Sequence, residues 1–129
     1  MNKQELTCIA VDDDPLFLLE IEHFISQIGW LKLLKKVSSP IKAATEIVLT
    51  KPDIIFLDIE MPYIDGYELI DWIDPCLNEI EPRPKVVIVT ANKDLIRQNF
   101  PKPIMGKIFK SDLKTSEDLS LAVANGLQN

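Results

Sequence analysis

A short apolar run, Ile54-Ile-Phe-Leu57, is bounded by Lys51-Pro-Asp53 and closed by an acid, Asp58. An uninterrupted run of this length between turn residues reads as a central strand of a parallel sheet, covered on both faces. Met61-Pro62 then turns the chain, and Asp65-Gly66 opens the next helix. In an open α/β sheet, ligands gather beyond the carboxyl ends of the strands. Asp58 stands at such an end and is a candidate functional residue. The plainer alternative is an aspartate that caps a turn or a helix.

The rest of the chain alternates in the same way. Leu6 to Val11 forms a first strand and runs directly into Asp12-Asp13-Asp14-Pro15. Asp14 is placed to cap a helix whose first position is Pro15, where the missing N–H costs nothing. A first helix from Pro15 to Ile28 is expected to bury Leu16, Leu19, Phe24 and Ile28, with Gly29 stopping it. Leu31 to Val37 is lysine-rich and suits an edge strand. A second helix, capped by Ser39, is expected to bury Ala43, Ala44, Ile47 and Val48, and Lys51-Pro52 closes it. A third helix from Gly66 carries Leu69, Ile70 and Ile73, with Asp74-Pro75 expected to weaken or end it. Val86 to Val89 is an apolar strand ending in Thr90. Lys93 to Phe100 suits a short fourth helix, cut off by Pro101 and Pro103. Gly106 to Lys110 holds a fifth strand. Thr115-Ser-Glu-Asp118 has the form of a capping box before a last helix marked by Leu119, Ala122, Val123 and Leu127. Five strands alternating with five helices imply a doubly wound α/β fold, one domain over residues 1–129.

Composition excludes several functions. The formal net charge is -6 with no basic stripe, so this segment itself is not expected to bind nucleic acid. No apolar run approaches the roughly 20 residues of a membrane helix. The start of the chain leads directly into the first strand, so no signal peptide is expected. The two cysteines, Cys8 and Cys76, have unlike surroundings and imply neither disulfide scaffold nor zinc site, which makes a reduced, cytoplasmic setting the default. His23, the single histidine, lies among Glu20, Glu22 and Phe24 and reads as an ordinary helix residue. No Gly-rich phosphate loop follows the first strand, and its acids would repel a nucleotide.

Asp12, Asp13, Asp58, Thr90 and Lys110 all fall at strand ends that this topology brings to one edge. Adjacent acids repel one another and resist burial unless a cation offsets them, and hard oxygen donors suit Mg²⁺. Lysine offers a point charge and threonine a hydroxyl donor to phosphoryl oxygens. The set suits in-line phosphoryl transfer to an aspartate.

Val11-Asp-Asp-Asp-Pro15, Leu57-Asp-Ile-Glu-Met-Pro62 with Asp65-Gly66, Val89-Thr-Ala91 and Gly106-Lys-Ile-Phe-Lys110 together resemble the receiver domain of two-component response regulators, the CheY-like family. The resemblance implies a flavodoxin-like three-layer sandwich, (βα)5, with strand order 2-1-3-4-5. It implies phosphorylation of Asp58 by a sensor histidine kinase or a histidine phosphotransfer protein. Asp12 and Asp13 would be the acidic pair, with Asp13 the direct ligand of Mg²⁺ (Mn²⁺ can substitute). The backbone carbonyl of Glu60 would be a further ligand, Thr90 the switch hydroxyl and Lys110 the family's lysine. Glu60 and Asn92 are placed to modulate the phosphoryl lifetime.

Lys102-Pro103 is an alternative match for that lysine, but it leaves no room after Thr90 for a helix and a strand, so Lys110 fits better. Where the family often carries an aromatic switch residue in the fifth strand, this chain has Lys107, with Phe109 an irregular substitute. The run from Ile9 to Asp65 also resembles receivers that precede LytTR-type DNA-binding domains.

The expected activity is slow self-phosphorylation and dephosphorylation rather than turnover. The output surface, and a homodimer interface, would be the face of the fourth helix, fifth strand and last helix. The alternatives are a receiver that is never phosphorylated and only mediates contacts, and a magnesium-dependent phosphatase with Glu60 as general acid. The complete acid, hydroxyl and lysine set weighs against the first. The lack of a cap over the site weighs against the second.

Overall fold

The computed structural model describes residues 5–61, 64, 66–92 and 104–127. In chain order these form β1 (Leu6–Val11), α1 (Pro15–Ser26), β2 (Leu31–Val37), α2 (Pro40–Thr50), β3 (Ile54–Leu57), α3 (Gly66–Asn78), β4 (Lys85–Thr90), β5 (Gly106–Phe109) and α4 (Ser116–Leu127). The five strands make one sheet of order β2-β1-β3-β4-β5, parallel throughout. The fourth helix expected at Lys93 to Phe100, the Lys102-Pro103 pair and the Asp65 cap lie outside the described residues.

The pleat sorts the core into two layers. Cys8 and Ala10 of β1, Ile54 and Phe56 of β3, Val87 and Val89 of β4, and Ile108 of β5 pack with α1 and α4. Ile9 and Val11, Ile55 and Leu57, and Val86 and Ile88 pack with α2 and α3. Successive residues point to opposite faces, so a strand covered on both sides must be apolar at every position, as Ile54–Leu57 is. Cys8 is fully buried; burial first, and the charge of Asp53 second, push its thiol up to about 12, which keeps it protonated and inert. β2 is an edge strand with exposed lysines, and its register against β1 slips between Cys8 and Ile9, a bulge that breaks the regularity of the edge.

The faces of α1 and α2 differ from the expected ones, whereas α3 buries Leu69, Ile70 and Ile73 as expected and differs in its length. α1 buries Phe17, Leu18, Ile21, Phe24 and Ile25, whereas Leu16 and Leu19 are 75% and 57% exposed. Asp14 sets this phase: its Oδ1 accepts the Leu16 N–H at 3.0 Å, and the helix then turns residue 17, not 16, toward the sheet. α2 buries Ala43 and Ile47 but leaves Val48 exposed, because it lies over β1 and β2 at the sheet edge, where a narrow stripe is covered. α3 runs through Pro75 to Asn78. Ile73 and Leu77, four apart and both buried, continue the apolar stripe past the proline, and Arg83 reaches back to Asp74 at 2.7 Å and to Asn78.

The capping box forms as expected. Thr115 Oγ1 accepts the Asp118 N–H at 3.2 Å, and Asp118 Oδ2 accepts the N–H groups of Thr115 at 3.0 Å and Lys114 at 2.9 Å. Those two N–H groups hold the Asp118 carboxyl below its ordinary value. Replacing Thr115 by alanine is expected to lower stability by about 1 kcal/mol in urea unfolding. An unchanged midpoint would mean that Asp118 holds the helix start alone.

Candidate functional site

The carboxyl ends of β1, β3 and β5 meet where the sequence places its acids and its lysine. Asp12 continues the side-chain alternation of Cys8 and Ala10, Asp58 that of Ile54 and Phe56, and Lys110 that of Ile108. All three therefore lean toward the α1 side of the sheet. Thr90 follows the opposite alternation, that of Val86 and Ile88.

Asp12 is 2% exposed. Its Oδ1 accepts the Asp14 N–H at 2.8 Å, which ties the acidic turn to the helix cap. Its Oδ2 pairs with Lys110 Nζ at 2.7 Å, the length of a charge-assisted bond. Asp13 is exposed beside it. The Asp58 side chain is buried, 4% exposed for the residue as a whole, where a turn after the strand would suggest an exposed carboxylate. The Asp12 and Lys110 side chains stand against it: Lys110 Nζ is 3.7 Å from its Oδ2. Its Oδ1 accepts the Glu60 N–H at 3.1 Å. Burial pushes the Asp58 carboxyl up to about 6, the charge of Asp12 adds to this, and the Glu60 N–H and Lys110 oppose it. For Lys110, burial acts to lower the ammonium's pKa, but the Asp12 contact and the Asp58 charge outweigh it and hold the group above its ordinary value. The Lys110 ammonium also sits over the Phe17 ring, 4.3 Å from its centroid.

Thr90 is fully buried, and its Oγ1 accepts the Asn92 N–H at 3.3 Å. Among the described residues no hydrogen bond joins Thr90 to Asp58 or Lys110. Lys107 is exposed on β5 and Phe109 is half-buried. Glu60 is exposed. His23 is exposed, and its Nε2 lies 3.1 Å from Gln27 Nε2, away from the acids. The sequence reading missed Phe17. Its spacing with Ile21 and Phe24 is the signal that places it on the sheet side of α1.

One carboxylate oxygen each from Asp12, Asp13 and Asp58 can be chosen so that all lie within 4.8 Å of one another. A hard divalent cation fits this set. The donors are all oxygens, and two of the three residues are buried. The arrangement can hold a cation between paired acids, keep one carboxylate beside it, and bring an ammonium to bear on anionic oxygens.

The sequence model described as the response regulator receiver domain matches residues 8–115. An uncharacterized response regulatory protein of Vibrio cholerae is 34% identical over 95 residues, 74% of this chain and 38% of that protein. The transcriptional regulatory protein BtsR of Escherichia coli is 31% identical over 83 residues, 64% of this chain and 33% of that protein. The chain thus spans well under half the length of these relatives. A CheY-like response regulator receiver domain from Methylobacillus flagellatus superposes with a TM-score of 0.81 over 95% of this chain and 99% of its own, at 15% identity. At that identity the likeness speaks for the fold. No helix among the described residues is long and apolar enough to cross a membrane.

Proposed function

Since this chain belongs to the response regulator receiver domain family of two-component signalling, we propose that it accepts a phosphoryl group on Asp58 from a sensor histidine kinase or a histidine phosphotransfer protein. The observation that best supports this reading is the convergence at Asp58. A buried carboxylate stands at the end of the central strand, with the Asp12 and Asp13 carboxylates within ligating distance and the Lys110 ammonium 3.7 Å away.

Asp12, Asp13 and Asp58 would hold Mg²⁺, with the Glu60 carbonyl as a further donor. Mg²⁺ would neutralise charge between the carboxylates and the incoming phosphoryl oxygens. The chain's own part is positioning. An Asp58 oxygen forms the bond to phosphorus as the bond from phosphorus to the donor nitrogen breaks, and the departing imidazole keeps that electron pair. Lys110 takes up charge on the phosphoryl oxygens by pivoting from Asp12 toward Asp58. The Thr90 hydroxyl, released from the Asn92 N–H, supplies one hydrogen bond to the same group. These two movements bias β5 and the neighbouring α4, which gives the switch its output face. Glu60 and Asn92 flank the path of a hydrolysing water. The setting is cytoplasmic, and the output is carried by other sequence, as in the longer response regulators that share this module.

Incubation with acetyl phosphate and Mg²⁺ followed by intact mass measurement tests the proposal. A gain of about 80 Da, for one phosphoryl group, is expected. It is expected to vanish in Asp58→Asn and when the metal is chelated. A gain that survives Asp58→Asn removes Asp58 from the centre of this account. No gain with acetyl phosphate or any kinase tested favours a receiver that works by contact alone.

A further inference from the structure

Lys110 follows an edge strand and has a long, flexible stem, so its default is to extend its ammonium into water. Instead the side chain is 16% exposed and its Nζ lies between Asp12 Oδ2 at 2.7 Å and Asp58 Oδ2 at 3.7 Å. A third neighbour is the Phe17 ring, whose centroid is 4.3 Å from Nζ, well inside the roughly 6 Å reach of a cation–π contact. Phe17 comes from the first turn of α1, the same segment that carries Asp12, Asp13 and the Asp14 cap, so one local structure places the acids and the ring together.

We propose that Phe17 is a positioning residue for Lys110, holding its ammonium over the acid cluster while it shifts from Asp12 to a phosphorylated Asp58. This rests on the phosphoacceptor reading. The carboxylates compete for the ammonium's N–H groups through directional, charge-assisted bonds. The ring face attracts the positive charge without claiming an N–H group, so it does not oppose a move of about 1 Å, the difference between the Asp58 distance and a charge-assisted bond. It also keeps water from one side of the ammonium. The plainer role for Phe17, which is 7% exposed, is filling the core beneath α1.

Two substitutions separate these roles. Phe17→Leu keeps an apolar side chain but removes the ring, and Phe17→Tyr keeps the ring. With acetyl phosphate and Mg²⁺, Phe17→Leu is expected to slow phosphorylation roughly three- to tenfold, and Phe17→Tyr to stay within about twofold of the native rate. A core-filling role alone would not rank the two in this order when their thermal midpoints are matched. The second readout needs no phosphoryl transfer. In the unmodified protein the Lys110 Hε and Hζ resonances are expected to be shifted upfield by the ring they face, and to return to ordinary lysine positions in Phe17→Leu. If the native protein takes up no phosphoryl group, the phosphoacceptor reading fails and the positioning role with it, while an upfield shift would still place the ammonium against the ring. Unshifted Lys110 resonances in the native protein, or native-rate phosphorylation of Phe17→Leu, would overturn the proposal.

Discussion

Asp58→Asn is expected to be more stable than the native protein at neutral pH, by about 3 kcal/mol in metal-free buffer, and no more stable below about pH 4. The reason is the carboxylate's position. Asp58 is 4% exposed, and burial together with the Asp12 charge pushes its carboxyl up to about 6 from the 3.8 of an exposed aspartate. Between those values the folded protein binds more protons than the unfolded chain. The contribution of Asp58 to stability is therefore highest below pH 4, falls as pH rises through 6, and is level above that. A gap of roughly two pH units corresponds to the stated difference at about 1.4 kcal/mol per unit. Asparagine has nearly the same shape and no charge, and its oxygen can still accept the Glu60 N–H. Urea unfolding of both proteins at pH 7.5 and pH 4 checks this. Mg²⁺ is expected to narrow the difference at pH 7.5 by binding the folded native protein more tightly than the variant. Equal stabilities at both pH values would mean that the carboxylate is hydrated in solution, against its burial here.

Much of this arrangement was legible in the sequence, for reasons that differ by residue. Ile54 to Leu57 could be placed because a strand covered on both faces leaves an uninterrupted apolar run. Asp58 could then be placed at a strand end, and the adjacent acids after β1 pointed to a cation. Lys110 could be preferred to Lys102 by the room that a helix and a strand require. The burial of Asp58 was not legible, because residues that stand beside it, Asp12 and Lys110, are brought in from β1 and β5. The phase of α1 was legible only from spacing. Leu16, Phe17, Leu18 and Leu19 are all apolar, so composition does not say which of them face the sheet, and it is the spacing of Phe17 with Ile21 and Phe24 that does. That misreading hid Phe17, the residue against which Lys110 rests. Pro75 misled for a related reason. A proline removes one hydrogen bond from a helix, but burial of Ile73 and Leu77 on either side of it outweighs that loss.

Lys110→Met should be the most damaging single change at the site, lowering stability by about 3 kcal/mol at pH 8 and by somewhat less at pH 4, where the share that falls on Asp58 is relieved. Methionine retains most of the stem that packs beside Phe17 but removes the ammonium. Asp12, 2% exposed, then loses its partner at 2.7 Å, and Asp58, 4% exposed, loses its only described cation at 3.7 Å. Breaking a buried pair from one side leaves an uncompensated charge, which is more harmful than never having had the pair. The pH dependence follows from the acids. Lys110 itself is held above its ordinary value, so the part of its contribution that depends on its own proton is lost only in strongly alkaline solution. Near neutrality the ammonium acts by opposing the rise of the Asp58 carboxyl, and without it Asp58 takes up its proton above pH 6. As pH falls through that range the carboxyl becomes neutral and the missing cation matters less. A double-mutant cycle isolates the interaction. Adding Asp12→Asn to Lys110→Met should restore most of the loss at pH 8, and adding Asp58→Asn a smaller part, in the order of their distances from Nζ. A loss under about 1 kcal/mol at pH 8, or a double variant no better than Lys110→Met, would show that water replaces the ammonium without penalty and that the ion pair does not hold the site together.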